Sequence, residues 1–119
     1  MIRAKRLLKS FTYAFRGLFK TLREEQNLQI QSIVGLVVII LGWYFRIEVE
    51  EWLILILVIG LVILMEIINS AIERITDVLK PRLDNYVKEI KDIMAAAVML
   101  ASVIAVTVGL IIFLPYLTQ

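Results

Sequence analysis

An all-helical membrane protein is the fold class this sequence predicts: a basic amphipathic helix on the membrane surface, then three transmembrane helices. Three observations predict it. First, the chain has 119 residues, of which 61% are hydrophobic, with a mean hydropathy of +0.87. An ordinary soluble domain is about 45–50% apolar, and a chain this short cannot hide so much apolar surface in a private core. Second, three long apolar stretches stand between the charged residues. Third, Lys and Arg are distributed very unevenly along the chain.

The surface helix comes first. Leu7, Leu8, Phe11, Phe15, Leu18 and Leu22 fall in one sector at about 100° per residue, and Lys5, Lys9, Arg16, Lys20 and Arg23 fall opposite. A basic amphipathic helix over residues 1–24 lies along the bilayer. The membrane accounts for its charge, so no nucleic-acid partner is implied. Its apolar residues are dispersed, with no compact apolar region leading into a small-residue cleavage site, so this segment does not read as a secretory signal peptide.

The first transmembrane helix is expected over about residues 28–46, within an uncharged run from Gln26 to Phe45. The second is expected over 52–73, where Trp52 to Ile72 is broken by a single charge, Glu66. The third is expected over 92–117, inside a run without charge from Ile93 to Gln119. A hydrocarbon core about 30 Å thick needs roughly 20 apolar helical residues. An open sheet would leave its backbone unsatisfied in lipid, so helix is the only reading. Ala97, Ala101 and Ala105 recur every four residues and read as a packing stripe. The whole chain, 1–119, reads as a single membrane domain.

Orientation follows from basic residues. Arg3, Lys5, Arg6, Lys9, Arg16, Lys20 and Arg23 precede the first span, and Arg74, Lys80, Arg82, Lys88 and Lys91 lie around the second loop. The first loop carries only Arg46, beside Glu48, Glu50 and Glu51, and the tail carries no basic residue. The N-terminus is therefore expected inside and the C-terminus outside, with Trp43, Tyr44, Trp52 and Tyr116 at the outer interface.

The sequence has neither cysteine nor histidine. That excludes disulfides, thiolate metal sites and the commonest general base. Chemistry must come from carboxylates, amides, hydroxyls, Lys and Arg. Glu66 is the most informative of these, because an ionisable group inside a span is costly and usually faces a partner or cavity. Asn69, Glu73 and Asp77 follow it at offsets of three, seven and eleven on one helix face, with Ser70 adjacent. Glu24, Glu25 and Asn27 precede the first span; Lys88, Lys91 and Asp92 precede the third. Three helices thus bring carboxylates, amides and ammonium groups to one boundary layer. Two carboxylates plus phosphate oxygens suit Mg²⁺. Lys88 and Lys91 can neutralise a triphosphate, and Glu66 is a candidate base for a hydroxyl proton. These parts suffice for phosphoryl transfer. On residues alone a proton-coupled transporter stays open, as does a bland reading in which Glu73 and Asp77 are a solvated helix end. Neither common phosphate loop, GxxxxGK[ST] or GxGxxG, is present.

The segment Glu66-Ile67-Ile68-Asn69-Ser70-Ala71-Ile72-Glu73 with Asp77 resembles the E-x-x-N-[ST]-A-[IV]-E-x-x-x-D signature of the bacterial diacylglycerol/undecaprenol kinases. Lys91-Asp92 running into Ala95-Ala96-Ala97-Val98 is similar to that family's K-D-x-x-[AS]-A-A-V. Ser10-Phe11 with Ala14 and Gly17 resembles S-F-x-x-A-x-x-G, and Glu25 with Asn27 resembles E-x-N. The patches run in family order from about Arg6 to Val98. The resemblance implies a small homotrimeric kinase of the bacterial inner membrane, with active sites shared between subunits. It would transfer the ATP γ-phosphate to a lipid alcohol, using Mg²⁺. It implies Glu66 as catalytic base in contact with substrate, Glu25 and Glu73 as metal ligands, and Asn69, Asp77, Lys88, Lys91, Asp92 and Tyr13 around the nucleotide. Arg6 and Ser10 would meet the lipid substrate. Where the family often has N-x-R-I-H, Gln29 and Gln31 stand here, which bears on phosphate or substrate contacts near the first span. The form around Glu25 leans to undecaprenol over diacylglycerol. A non-catalytic binding or transport subunit of the same fold is the alternative, against which Glu25, Glu66 and Glu73 argue.

Overall fold

A computed structural model describes residues 3–119. The chain forms four helices: α1 (Ala4–Glu24), α2 (Gln26–Phe45), α3 (Val49–Leu79) and α4 (Asp84–Leu117). Among the described residues there is no strand. The three helices after α1 are each long and apolar enough to cross a membrane.

α1 and α2 are separated by one residue. Glu25 is extended, at φ −104° and ψ 110°, and serves as the C-cap of α1 and the N-cap of α2. No residue of α1 is buried. Its apolar stripe therefore remains available to the bilayer, as a surface helix requires.

α2 and α3 join through three residues, Arg46, Ile47 and Glu48. The Ile47 N–H donates to the Gly42 carbonyl and the Arg46 N–H to that of Trp43, both at 3.2 Å. This is a Schellman cap, with Arg46 left-handed at φ 53°. Ile47 is buried and anchors the packed core with Leu55 and Ile112. Phe45, Trp52, Phe113 and Tyr116 surround that trio. The core therefore sits at the end of the bundle where α2 stops, α3 begins and α4 finishes. Glu51 fastens this end further: its Oε1 accepts from the Glu48 N–H at 3.1 Å and from the Tyr116 hydroxyl.

α3 packs mainly along α4 and less along α2. Ala101 is buried, and Ala97 and Ala105 are half-buried, so the small-residue stripe lies on a packed side of α4. Gly35 and Gly42 face α3: a Cβ on Gly35 would lie 3.1 Å from Ile59 Cγ2, and one on Gly42 2.9 Å from Trp52 Cη2. Beyond the core an apolar cleft of about 460 Å³ opens between α2, α3 and α4, with Gln31, Val62 and Ser102 among its lining.

Candidate active site

α3 has 31 residues, or about 46 Å at 1.5 Å per residue. That exceeds the hydrocarbon core by about 16 Å. With Trp52 at one interface, about 30 Å of helix ends near Ile72, so Glu66 lies about 9 Å inside the far boundary. The remainder of α3 carries its polar face into the headgroup and water layers.

Glu66 is 4% exposed, Ser70 one turn along is buried as well, and Thr76 is buried further down the same helix. Ser70 Oγ donates to the Glu66 carbonyl at 3.1 Å, so it satisfies itself on the backbone and leaves the carboxylate alone. Among the described residues no hydrogen bond reaches the Glu66 carboxylate from another side chain. Glu73 and Glu25 lie within electrostatic range of it. One turn further along, Asn69 Nδ2 donates to Glu73 Oε1 at 3.2 Å, and Thr76 Oγ1 donates to the Glu73 carbonyl at 3.0 Å. Lys91 Nζ donates to Asp77 Oδ1 at 2.8 Å, tying α4 to α3. Glu24 and Glu25 approach α3 from the α1–α2 elbow, where Arg74 Nη2 lies 2.7 Å from Glu24 and 3.7 Å from Glu25.

The structure therefore gathers Glu25, Glu66, Asn69, Glu73, Asp77 and Lys91 at one end of the three long helices. Lys88 and Asp92 are exposed on α4 near Lys91. Arg6, Ser10 and Tyr13 are not brought to that cluster within the chain. All are exposed on α1; Ser10 Oγ donates to the Arg6 carbonyl at 3.1 Å, and Tyr13 lies under the Arg16 guanidinium at 5.6 Å.

Several participants escape sequence reasoning. Glu24 reads as one of the acids ahead of the first span and Arg74 as one of the basic residues of the second loop, but nothing in the spacing joins positions fifty residues apart. Thr76 had a signal, since it lies three residues beyond Glu73 on a helix. Gln29 is the clearest case. Its Nε2 donates to the carbonyls of Leu22 at 2.7 Å and Arg23 at 3.1 Å, the last turn of α1. Its partners here are thus helix-end carbonyls, which an amide can satisfy as donor. Gln31 lines the apolar cleft.

A single carboxylate buried within an apolar span, opening onto a rim of acids, an amide and ammonium groups, defines a class: a multi-span membrane protein handling a polar, charged ligand at the interface. The particular family follows from comparison with known proteins. The family model described as prokaryotic diacylglycerol kinase matches residues 12–113, and the chain belongs to that family. The match takes in Tyr13 and every candidate on α2, α3 and α4, but not Arg6 or Ser10. The chain is 38% identical to the undecaprenol kinase of Bacillus subtilis (strain 168) over 112 residues, covering 94% of this chain and 91% of that one. It is 33% identical to a diacylglycerol kinase of Synechocystis over 113 residues, covering 94% of this chain and 65% of that one. To the diacylglycerol kinase of Escherichia coli (strain K12) it is 27% identical over 101 residues, covering 85% and 83%.

Proposed function

We infer that this chain transfers the γ-phosphate of ATP to the hydroxyl of a membrane lipid alcohol, undecaprenol in preference to diacylglycerol. The observation that carries the reading is Glu66, a buried carboxylate about 9 Å inside the apolar boundary and directly above the polar rim. A lipid alcohol keeps its tail in the hydrocarbon and its hydroxyl near the interface, within reach of a carboxylate set just inside the boundary, while ATP approaches from water. The undecaprenol preference rests on the 38% identity to the Bacillus subtilis enzyme.

In this reading Glu66 accepts the proton of the lipid hydroxyl as its oxygen bonds to the γ-phosphorus and the bond to ADP breaks. General-base assistance of this kind contributes about 10²–10⁴-fold. Lys88 and Lys91 offset phosphate charge, and Asn69, Asp77, Asp92 and Tyr13 orient the nucleotide. Among the described residues no cluster of three metal-ligating side chains is present. Mg²⁺ commonly takes one or two carboxylates with substrate phosphates and water, and Glu25 and Glu73 provide that donor set. When bound there, Mg²⁺ would neutralise charge on the phosphates.

The reading includes a homotrimer. Arg6, Ser10 and Tyr13 are presented on a helix that buries none of its residues within its own protomer, which suits lipid and nucleotide contacts made across a subunit boundary. It also includes residence in the bacterial inner membrane with the rim facing cytoplasmic ATP, and a single kinase domain over 1–119.

The test is direct. Purified protein in mixed micelles, given ATP, Mg²⁺ and one lipid at a time, should form polyprenyl phosphate with a higher kcat/KM than phosphatidic acid. Faster turnover of diacylglycerol would reverse the substrate order. No lipid phosphate from either substrate would remove the kinase reading.

A further inference from the structure

Polar contacts tie the α1–α2 elbow to its surroundings. α1 has no buried residue, and Leu22 at its C-terminal end is only half-buried, so apolar packing within the chain gives that end little hold. Glu25 is the single extended residue between two helices, so its carboxylate goes wherever the elbow goes. Two ties converge on it. Gln29 closes the last turn of α1 from the α2 side, through Leu22 and Arg23. Arg74 reaches from α3 to Glu24 at 2.7 Å.

The division of Arg74 between two neighbouring acids is the informative feature. The same nitrogen, Nη2, lies 2.7 Å from Glu24 but 3.7 Å from Glu25. Glu24 thus takes the short charge-assisted bond, and Glu25 feels the same cation at a longer range. The geometry points to Arg74 as a positioning residue: anchored on Glu24, it locks the surface-helix elbow to α3 and holds Glu25 beside the Glu66–Glu73 face without capturing it. Glu24 is then the counter-ion that keeps Arg74 from closing a full ion pair with Glu25. This inference rests on the reading of Glu25 as a Mg²⁺ ligand for its kinetic consequence, but not for its structural one.

Two readouts separate the parts: Mg²⁺ half-saturation of lipid phosphorylation, and amide hydrogen exchange across residues 20–30 of the full-length protein in nanodiscs. Arg74→Gln removes the lock. Exchange across the elbow should speed up about fivefold, the scale of one exposed ion pair, and Mg²⁺ half-saturation should rise by a similar factor. Arg74→Lys, which keeps the charge, should recover most of both. Glu24→Gln is the discriminating variant. Arg74 moves over to Glu25, so elbow exchange should stay near wild type while Mg²⁺ half-saturation still rises about fivefold. The exchanged pair Glu24→Arg with Arg74→Glu should restore protection of the elbow.

Wild-type exchange and wild-type Mg²⁺ dependence in Arg74→Gln would overturn the lock. Accelerated exchange in Glu24→Gln, equal to that in Arg74→Gln, would overturn the counter-ion role and leave Glu24 a simple tie. Should the wild-type protein phosphorylate neither lipid, the proposed function fails, while the exchange arm decides the elbow by itself.

Discussion

The proposed function rests its proton transfer on Glu66, and substitution of that side chain is the sharpest test at the residue scale. Glu66→Gln keeps shape and removes the acid. As general base its loss should lower kcat at least about a hundredfold. Folding should be unchanged or improved, because a group costly in hydrocarbon when ionised is replaced by a neutral one. The measurements are the micelle assay and thermal unfolding in detergent; substantial turnover in a folded Glu66→Gln protein would remove it as the base. Glu66 could be singled out from sequence because an uninterrupted apolar run makes any charge conspicuous. Asn69, Glu73 and Asp77 were legible by helical arithmetic, which places offsets of three, seven and eleven on one face. Arg74 and Gln29 were not, since each is defined by its contacts: Arg74 by an acid fifty positions away, Gln29 by two carbonyls of the preceding helix. Substituting an amide for the family's usual basic residue looks like a lost phosphate contact on paper. In the fold that amide closes a helix end.

The same contrast holds for whole elements. Hydropathy marks the part of a helix that sits in lipid, and those stretches were plain. Helix ends answer to hydrogen bonding instead. α3 continues to Leu79 and α4 begins at Asp84, since a helix leaving the membrane keeps its backbone bonds while its side chains turn polar. The turn between α2 and α3 was legible only as an acidic loop. Its Schellman cap places Arg46 in a left-handed conformation and needs Gly42 small, because a Cβ there meets the rigid Trp52 ring and Ile47 Cδ1 at 2.9 and 3.1 Å. Gly42→Ala sets a helix-propensity gain of about 1 kcal/mol against overpacking that costs about 1–3 kcal/mol. The net should be a loss of about 1 kcal/mol, seen as a lower unfolding midpoint in detergent. Gly35→Ala has the same propensity gain but meets only Ile59 Cγ2, at 3.1 Å, a methyl that must shift by a few tenths of an ångström on a stiff β-branched side chain; gain and cost nearly cancel, so its midpoint should stay close to wild type. A Gly42→Ala protein as stable as Gly35→Ala would show that α2 does not depend on this close approach.

At the scale of the whole molecule, less than a third of each apolar window is buried within the chain. Lipid or further copies of the chain must cover the rest, so the bilayer is part of the fold and orientation becomes a functional question. ATP is made available in the cytoplasm, and the proposed function therefore requires Glu25, Glu73, Asp77 and Lys91 to lie at the inner face. The structure puts all four at one end of the bundle; the sign of that end comes from charge. Seven basic residues precede α2 and five lie from Arg74 to Lys91, against one in the α2–α3 turn and none after α4. Loops this short are the regime in which positive residues set orientation. The chain has no cysteine, so single cysteines report without background. Glu50, Thr118 and Asp84 are exposed and lie outside the rim. Cysteines at Glu50 or Thr118 should react with a membrane-impermeant maleimide in intact cells, while one at Asp84 should react only after the membrane is opened. The reverse pattern would put the carboxylate rim on the side without ATP, and no kinase assay in micelles could then rescue the reading for the cell.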